Sequence, residues 1–150
     1  MVIAFCGHAQ FPRLNEYEDK MLSLLEELVG DNRADFYLGG YGDFDHFAYA
    51  CCKKYKETHP KVSLIFIAPY MTVEYQRNHL KFQKDRYDEI IYPDIENKPL
   101  KFAIVYRNQW MVENADCLVG GIMRSWGGAY KTYQYAKRKG KTVFNIVDNK

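Results

Sequence analysis

Two glycine-rich segments hold the strongest chemical signal in this chain. Leu38-Gly39-Gly40-Tyr41-Gly42-Asp43-Phe44-Asp45 and Gly120-Gly121-Ile122-Met123-Arg124-Ser125-Trp126-Gly127-Gly128 each follow a short apolar run and precede a helical pattern. Glycine lets a backbone turn sharply and lets a ligand approach it closely. The first turn of a helix leaves N–H groups without intrahelical partners, at the positive end of the helix dipole. A glycine loop that feeds a helix is therefore an anion cradle, most often for phosphate. One such loop is a weak signal, and two in the same setting are a considerably better one.

Several side chains near these loops add to the signal, each with two readings. His8, after Gly7, can hydrogen-bond a phosphate or ribose, or can pin its own loop to a backbone carbonyl. Asp45 can cap the helix that follows or accept from a ligand hydroxyl, and Asp43 is an equally good cap. Arg107 and Asn108 fall on the helical pattern before the second loop. An arginine there offers phosphate a planar fork and would be the main fixed positive charge of the site, whereas on a solvated face it means nothing. Glu113 shares that helix but need not point the same way as Arg107. Trp126 can stack on a base or simply close the core. The run Tyr130 to Lys139 interleaves aromatic and basic residues, as single-strand nucleic-acid sites do. The preferred reading of that run is an amphipathic helix with a solvated basic face.

The elements that must position these residues alternate along the chain. Val2 to Cys6 reads as a strand, and Tyr17, Met21, Leu24, Leu25 and Leu28 mark a helix over Asn15 to Val29. Phe36 to Leu38 is a short strand, followed by a helix whose face carries Phe44, Phe47, Ala48, Cys51, Cys52 and Tyr55. Val62 to Ile67 is a continuous apolar run of the kind buried on both faces, broken by Ala68-Pro69. A helix over Thr72 to Asp85, a short strand over Glu89 to Tyr92 and a helix over Leu100 to Asn114, opened by Pro99, are expected next. Cys117 to Val119, a helix reaching Lys139 and a strand over Thr142 to Val147 complete the pattern.

This order predicts an α/β fold: a three-layer αβα, Rossmann-like arrangement with a mainly parallel sheet, joined by right-handed crossovers, with the first strand near its centre. Ligands in such sheets sit beyond the carboxyl ends of the strands. That edge collects Gly7, His8, Gly39 to Asp45, Ala68 to Tyr70 with Pro69 among them, and Gly120 to Gly128.

Composition sets limits. A length of 150 residues predicts a single domain over 1–150. The chain has no apolar run of about 18 residues, so no membrane span is expected. Its N-terminus enters a strand pattern without a basic leader, which predicts a cytoplasmic protein. A net charge of +2 is too small to imply nucleic acid or an anionic membrane. The four cysteines form no C-x-x-C pair, so buried free thiols are expected and no metal site is.

Together these residues resemble the SLOG superfamily, the Rossmann-like group related to YpsA, to the DNA-processing protein DprA and to the Lonely Guy cytokinin-activating enzymes. The resemblance covers nearly the whole chain. It rests on Gly7-His8, on Gly39-Gly40 with Asp45 five residues beyond, on Ala68-Pro69, on Arg107, Asn108 and Met111, and on the Asp116 to Val119 strand leading to Gly127-Gly128-Ala129. It implies a Rossmann-like fold with a pocket for a nucleotide or nucleotide-like ligand. Two departures stand out. Small members often carry Thr-Gly-His-Arg after the first strand, where this chain reads Cys6-Gly7-His8-Ala9. The Lonely Guy enzymes place a glutamate soon after the second glycine loop, where this chain reads Ala129-Tyr130-Lys131-Thr132. A catalytic carboxylate would have to come from Glu113 or Asp45, so hydrolysis at a ribose is not expected.

The sequence therefore points to a nucleotide-binding sensor module with a nucleotide-like small molecule as its partner. It would self-associate as a homo-oligomer and use no cofactor. Nucleic acid is not expected as a partner. The alternatives are an N-glycosidase or phosphoribohydrolase and a DprA-like DNA-binding accessory protein.

Overall fold

A computed structural model of the chain describes residues 1–69, 74, 77–78, 81–95 and 98–148. The elements are β1 (Val2–Gly7), α1 (Asn15–Leu28), β2 (Ala34–Leu38), α2 (Asp43–Thr58), β3 (Val62–Ile67), α3 (Lys81–Arg86) and β4 (Glu89–Ile91). A 3-10 turn (Leu100–Phe102) then leads into α4 (Ala103–Glu113), β5 (Cys117–Gly121), α5 (Gly128–Arg138) and β6 (Thr142–Asn145). The strands form a six-stranded sheet in the order β4-β3-β2-β1-β5-β6. Every pairing between them is parallel.

Successive residues of a strand face opposite sides of a sheet, and β1 uses both sides. Ile3 and Phe5 enter a core with Met21, Leu25, Phe36, Phe44 and Cys52, beneath α1 and α2. Ala4 and Cys6 enter a second core with Ile65, Ile67, Met111, Val112 and Ala136, beneath α4 and α5. This double burial is why the central strands read as unbroken apolar runs. It also gives the three layers expected from the alternation.

The boundaries differ in informative ways. Gly120 and Gly121, expected in the second glycine loop, are the last two residues of β5, paired with Cys6 and Gly7 of β1. Parallel pairing with Val62 and Ser63 draws Ala34 and Asp35 into β2. The closing strand stops at Asn145, whose side chain takes over the local hydrogen bonding. Its Oδ1 accepts from the Ile122 and Val147 amides and its Nδ2 donates to the Ile122 carbonyl. Of the helix expected over Thr72 to Asp85, Lys81 onward is helical, whereas Thr72 itself and Tyr70 lie outside the described residues. Among the described residues no helix is long and apolar enough to cross a membrane.

The chain lays β2, β3 and β4 on one side of β1, then crosses to place β5 and β6 on the other. The crevice beyond the ends of β1 and β5 is therefore the switch point of the sheet, where ligands bind in open α/β folds.

Candidate functional site

A cavity of about 240 Å3 opens at that switch point. Cys6, Gly7, His8 and Ala9 line it from the end of β1, Tyr41 and Asp45 from the entry to α2, and Ile104, Arg107 and Asn108 from α4. Arg124, Gly128 and Ala129 close it from the β5–α5 side. A larger hollow of about 640 Å3 between α1 and β6 contains none of the loop residues. The switch-point cavity carries the convergent polar groups, and those matter more than volume for recognition.

The two glycine segments do different work. At the first, the N-terminus of α2 is spent on the fold itself. The Asp43 amide donates to the Ala9 carbonyl at 2.8 Å and the Phe44 amide to the His8 carbonyl at 3.3 Å. Gly42 permits this close approach: it sits at φ +90°, and a Cβ on it would lie 2.7 Å from the Ala9 Cα. The Phe44 ring, fully buried, then wedges between Gly7 and Gly121, where added Cβ atoms would come within 2.1 and 2.4 Å of it. Gly7 and Gly121 thus make room for an aromatic ring rather than for a ligand. Gly40, at φ +65°, packs on Phe66.

The second segment is open. Gly127, at φ +96°, turns the chain into α5, and no side chain caps that helix. Added Cβ atoms on Gly127 or Gly128 would meet nothing within 4 Å. The first N–H groups of α5 stand at the cavity wall with the positive end of the helix dipole, a ready anion site.

Between these segments lies a buried charge pair. The Arg107 side chain is 1% exposed and the Asp45 residue 7% exposed. Arg107 Nη1 donates to the Gly39 carbonyl at 2.8 Å and to the Ile67 carbonyl at 3.0 Å, and its Nε donates to Asn108 Oδ1 at 2.9 Å. Arg107 therefore ties the ends of β2 and β3 to α4. Asp45 caps no helix: its Oδ2 accepts from the Tyr41 amide at 2.9 Å and so fixes the loop before α2. Burial pushes the Asp45 carboxyl up to about 6, against the opposing pull of the Arg107 guanidinium and the Tyr41 amide. Among the described residues Asp45 is the one carboxylate lining the cavity.

His8 is 2% exposed, and its Nε2 accepts from the Met123 amide at 3.1 Å. Burial and the nearby Arg124 guanidinium lower its pKa, so the imidazole is held neutral. It ties the β1 loop to the β5 loop, which is the pinning role with the backbone group acting as donor. Arg124, which no spacing pattern marked, both lines the cavity and stacks on Trp126, its Cζ 4.1 Å from the ring centre. Arg124 Nε is buried without a hydrogen-bond partner. Trp126 is 66% exposed and Tyr41 60% exposed, so neither closes the core.

Other expected residues lie elsewhere. Pro69 is half-buried just beyond β3, and Gly120 is buried inside β5. Glu113 is exposed at the far end of α4, where Lys141 donates to its carbonyl. Helix α4 runs back across the sheet, so the six residues after Arg107 carry Glu113 about 9 Å away from the ligand edge. The thiols are inert: Cys6, Cys51, Cys52 and Cys117 are free and buried, and burial pushes Cys6 and Cys51 up to about 12. Among the described residues no group of three or more His, Cys, Asp or Glu is placed to hold a metal ion.

The same architecture occurs in solved proteins. DNA processing protein A (DprA) from Streptococcus pneumoniae superposes with a TM-score of 0.66 at 16% identity, over 95% of this chain and 49% of that one. DNA processing protein A from Helicobacter pylori, described for its single-stranded DNA binding mode, superposes with a TM-score of 0.62 at 18% identity, over 97% of this chain and 64% of that one. The likeness shows a shared Rossmann-like α/β fold, and this chain spans about half to under two thirds of the length of those neighbours. No protein-family model and no curated protein matches the chain.

These neighbours correct one expectation. A net charge of +2 argues against nucleic acid as a partner, yet a protein with this fold is described by its binding of single-stranded DNA. A whole-chain sum does not register where charges lie. Arg124, Lys131, Lys137, Arg138 and Lys139 all fall on the β5–α5 segment, the last four of them exposed.

Proposed function

We propose that this chain is a DprA-like module that binds single-stranded nucleic acid across the β1–β5 edge. A backbone phosphate sits against the open N-terminus of α5, at Gly127 and Gly128, with Arg124 beside it. A base stacks on Trp126. The observation that carries this reading is the Arg124–Trp126 pair: a cation held over the ring of a tryptophan that is 66% exposed, next to an uncapped helix start. Base stacking on aromatics together with charge along the backbone is how single strands are held without regard to sequence. A tryptophan left in water beside a cationic cavity has little to offer the core. The likeness to DprA supports the same reading. The nucleotide pocket expected from the sequence narrows, on this view, to the place of one nucleotide within a strand.

Fluorescence anisotropy with a labelled oligothymidylate of about 15 nucleotides tests this, because such site sizes suit single-strand grooves. Binding should weaken with salt, log K falling by about 0.7 per phosphate contact for each decade. Duplex of the same length should bind more weakly, and thymidine monophosphate should compete poorly. If the oligonucleotide does not bind at about 50 mM salt, the reading fails. If the monophosphate competes as well as the strand, the ligand is a free nucleotide instead.

A further inference from the structure

Away from this edge, a concentration of like charge lies beside aromatic rings along α2. A cavity of about 510 Å3 on the outer side of α2 is lined by Arg13, His46, Tyr49, Lys53, Lys54 and Arg86. Among the described residues its single acidic lining residue is Glu57, one helical turn beyond Lys53. The geometry points to a second phosphate-contact surface, over which a single strand leaving the β1–β5 edge continues along α2. This inference rests on the single-strand reading above and adds the path of the strand.

Position on the helix comes first. His46, Tyr49, Lys53 and Glu57 recur at intervals of three and four, so they share one face of α2. The opposite face, with Phe44, Phe47, Cys51 and Tyr55, is buried in the core, and Tyr49 at the margin of the outer row is buried with it, whereas His46, Lys53 and Glu57 are exposed. From His46 to Lys53 the row covers about 10 Å at the helical rise. It therefore leads away from the loop edge and does not merely thicken it.

Continuity comes second. Tyr41 lines the first cavity and His46 the second, and only the first turn of α2 separates them. His8 and Ala9 line the first cavity, and Arg13, farther along the same loop, lines the second. The loop after β1 thus borders both cavities, and α2 carries the lining on from the loop that Tyr41 belongs to.

The charges and rings fit a strand. Lys54 is paired with Glu18 at 3.5 Å, but among the described residues neither Arg13 nor Lys53 makes an ion pair. Both are exposed. Arg86 lies over the Tyr49 ring, its Cζ 4.1 Å from the ring centre and 4.9 Å from the centre of the Phe82 ring, which is 58% exposed. The Tyr49 hydroxyl holds this arrangement by donating to the Arg86 carbonyl at 2.9 Å. Clustered cations repel one another unless a polyanion crosses them, and the open Phe82 face offers a base its stacking partner.

The test compares the parent with an Arg13→Gln/Lys53→Gln double variant, using oligothymidylates of about 5 and about 15 nucleotides across a salt series. Both replaced side chains are exposed, so the thermal melt should not move. The variant should bind the longer strand about tenfold more weakly, with a log–log salt slope shallower by about 1.4, the value for two phosphate contacts on a single strand. It should bind the shorter strand as the parent does. Unchanged affinity and slope for the longer strand would overturn the inference, and so would an equal loss for both lengths. An Arg124→Ala control should weaken both lengths. If the parent binds neither strand, the proposed function fails and this path falls with it.

Discussion

Arg107 and Asp45 meet over the bare Cα of Gly39: a Cβ there would lie 2.9 Å from Arg107 Cζ and 3.0 Å from Asp45 Oδ2. The two charges come from helices on opposite faces of the sheet, α4 and α2, and they approach through the gap that a missing side chain leaves beyond β2. Gly39 is thus needed for what surrounds it, and Gly128, with open space around it, is not. Gly39→Ala should cost about 1–3 kcal/mol in urea unfolding, the range for forcing atoms into a packed site. Gly128→Ala should leave stability unchanged or slightly higher, because alanine favours helix. Equal effects from the two substitutions would contradict this account of the pair.

The same contact changes what Arg107 is for. Its guanidinium grips the carbonyls of Gly39 and Ile67, so its loss strips two buried acceptors and leaves a buried carboxylate behind. Arg107→Ala should lower stability by roughly 2–6 kcal/mol, because each buried acceptor stripped of its partner costs about 1–3 kcal/mol. It should also drive the Asp45 carboxyl above about 6, since Arg107 is what pulls it down. An NMR titration of that carboxyl reads the second effect independently of the melt. A variant that melts like the parent and loses only ligand binding would return Arg107 to a purely ligand-facing role.

How much of this was legible follows from the range of the interactions. Val62–Ile67 emerged with the bounds read from sequence because burial on both faces leaves a run with no polar interruption. Gly120 and Gly121 were assigned to a loop because glycine ordinarily marks one. They are strand because both pair with β1, and Gly121 leaves the space that the Phe44 ring fills, a contact between residues 77 positions apart, whereas Gly120 faces the Cys6 carbonyl and Tyr133. Asp45 and Arg107 stand out by type and position, but their approach to one another depends on two helices meeting beyond β2. Arg124 and Tyr41 are not legible in the sequence because a cation or ring on a loop has no periodicity to mark it.

Stability should depend on pH through Asp45 in a direction opposite to that of most carboxylates. Its folded pKa is raised, from 3.8 to about 6. The folded chain therefore holds a proton that the unfolded chain releases. The stabilisation from the protonated form is fully present below 3.8 and is lost as pH rises through about 6. Asp45→Asn removes that loss, so its stability relative to the parent should improve by up to about 3 kcal/mol between pH 4 and pH 7.5. His8, whose pKa is lowered from 6.5, acts in the other sense: its contribution is present above 6.5 and fades as pH falls. The difference between Asp45→Asn and parent isolates the carboxyl. A difference that stays flat across that interval, measured by denaturant unfolding, would show that Asp45 is ionised throughout.

Ligand binding should divide cleanly from stability at Trp126. The side chain is 66% exposed and contacts Arg124 in preference to the core, so Trp126→Ala should shift the thermal midpoint little. If a base stacks on the ring, the same substitution should weaken oligothymidylate binding by about 1–3 kcal/mol, the range for one base on one aromatic. Trp126→Phe keeps a stacking face and should recover much of that loss. Arg124→Ala should weaken binding and also flatten the salt dependence by about 0.7, because it removes a phosphate contact, whereas Trp126→Ala should leave the salt slope in place. Tryptophan fluorescence gives a direct readout: Trp126 is exposed and should be quenched as a strand binds, whereas Trp110, half-buried against Tyr37 at 5.7 Å between ring centres, should not respond. If strand binding is tight while Trp126 fluorescence is unmoved and Trp126→Ala binds like the parent, the strand lies elsewhere on the molecule and the Arg124–Trp126 pair is not its platform.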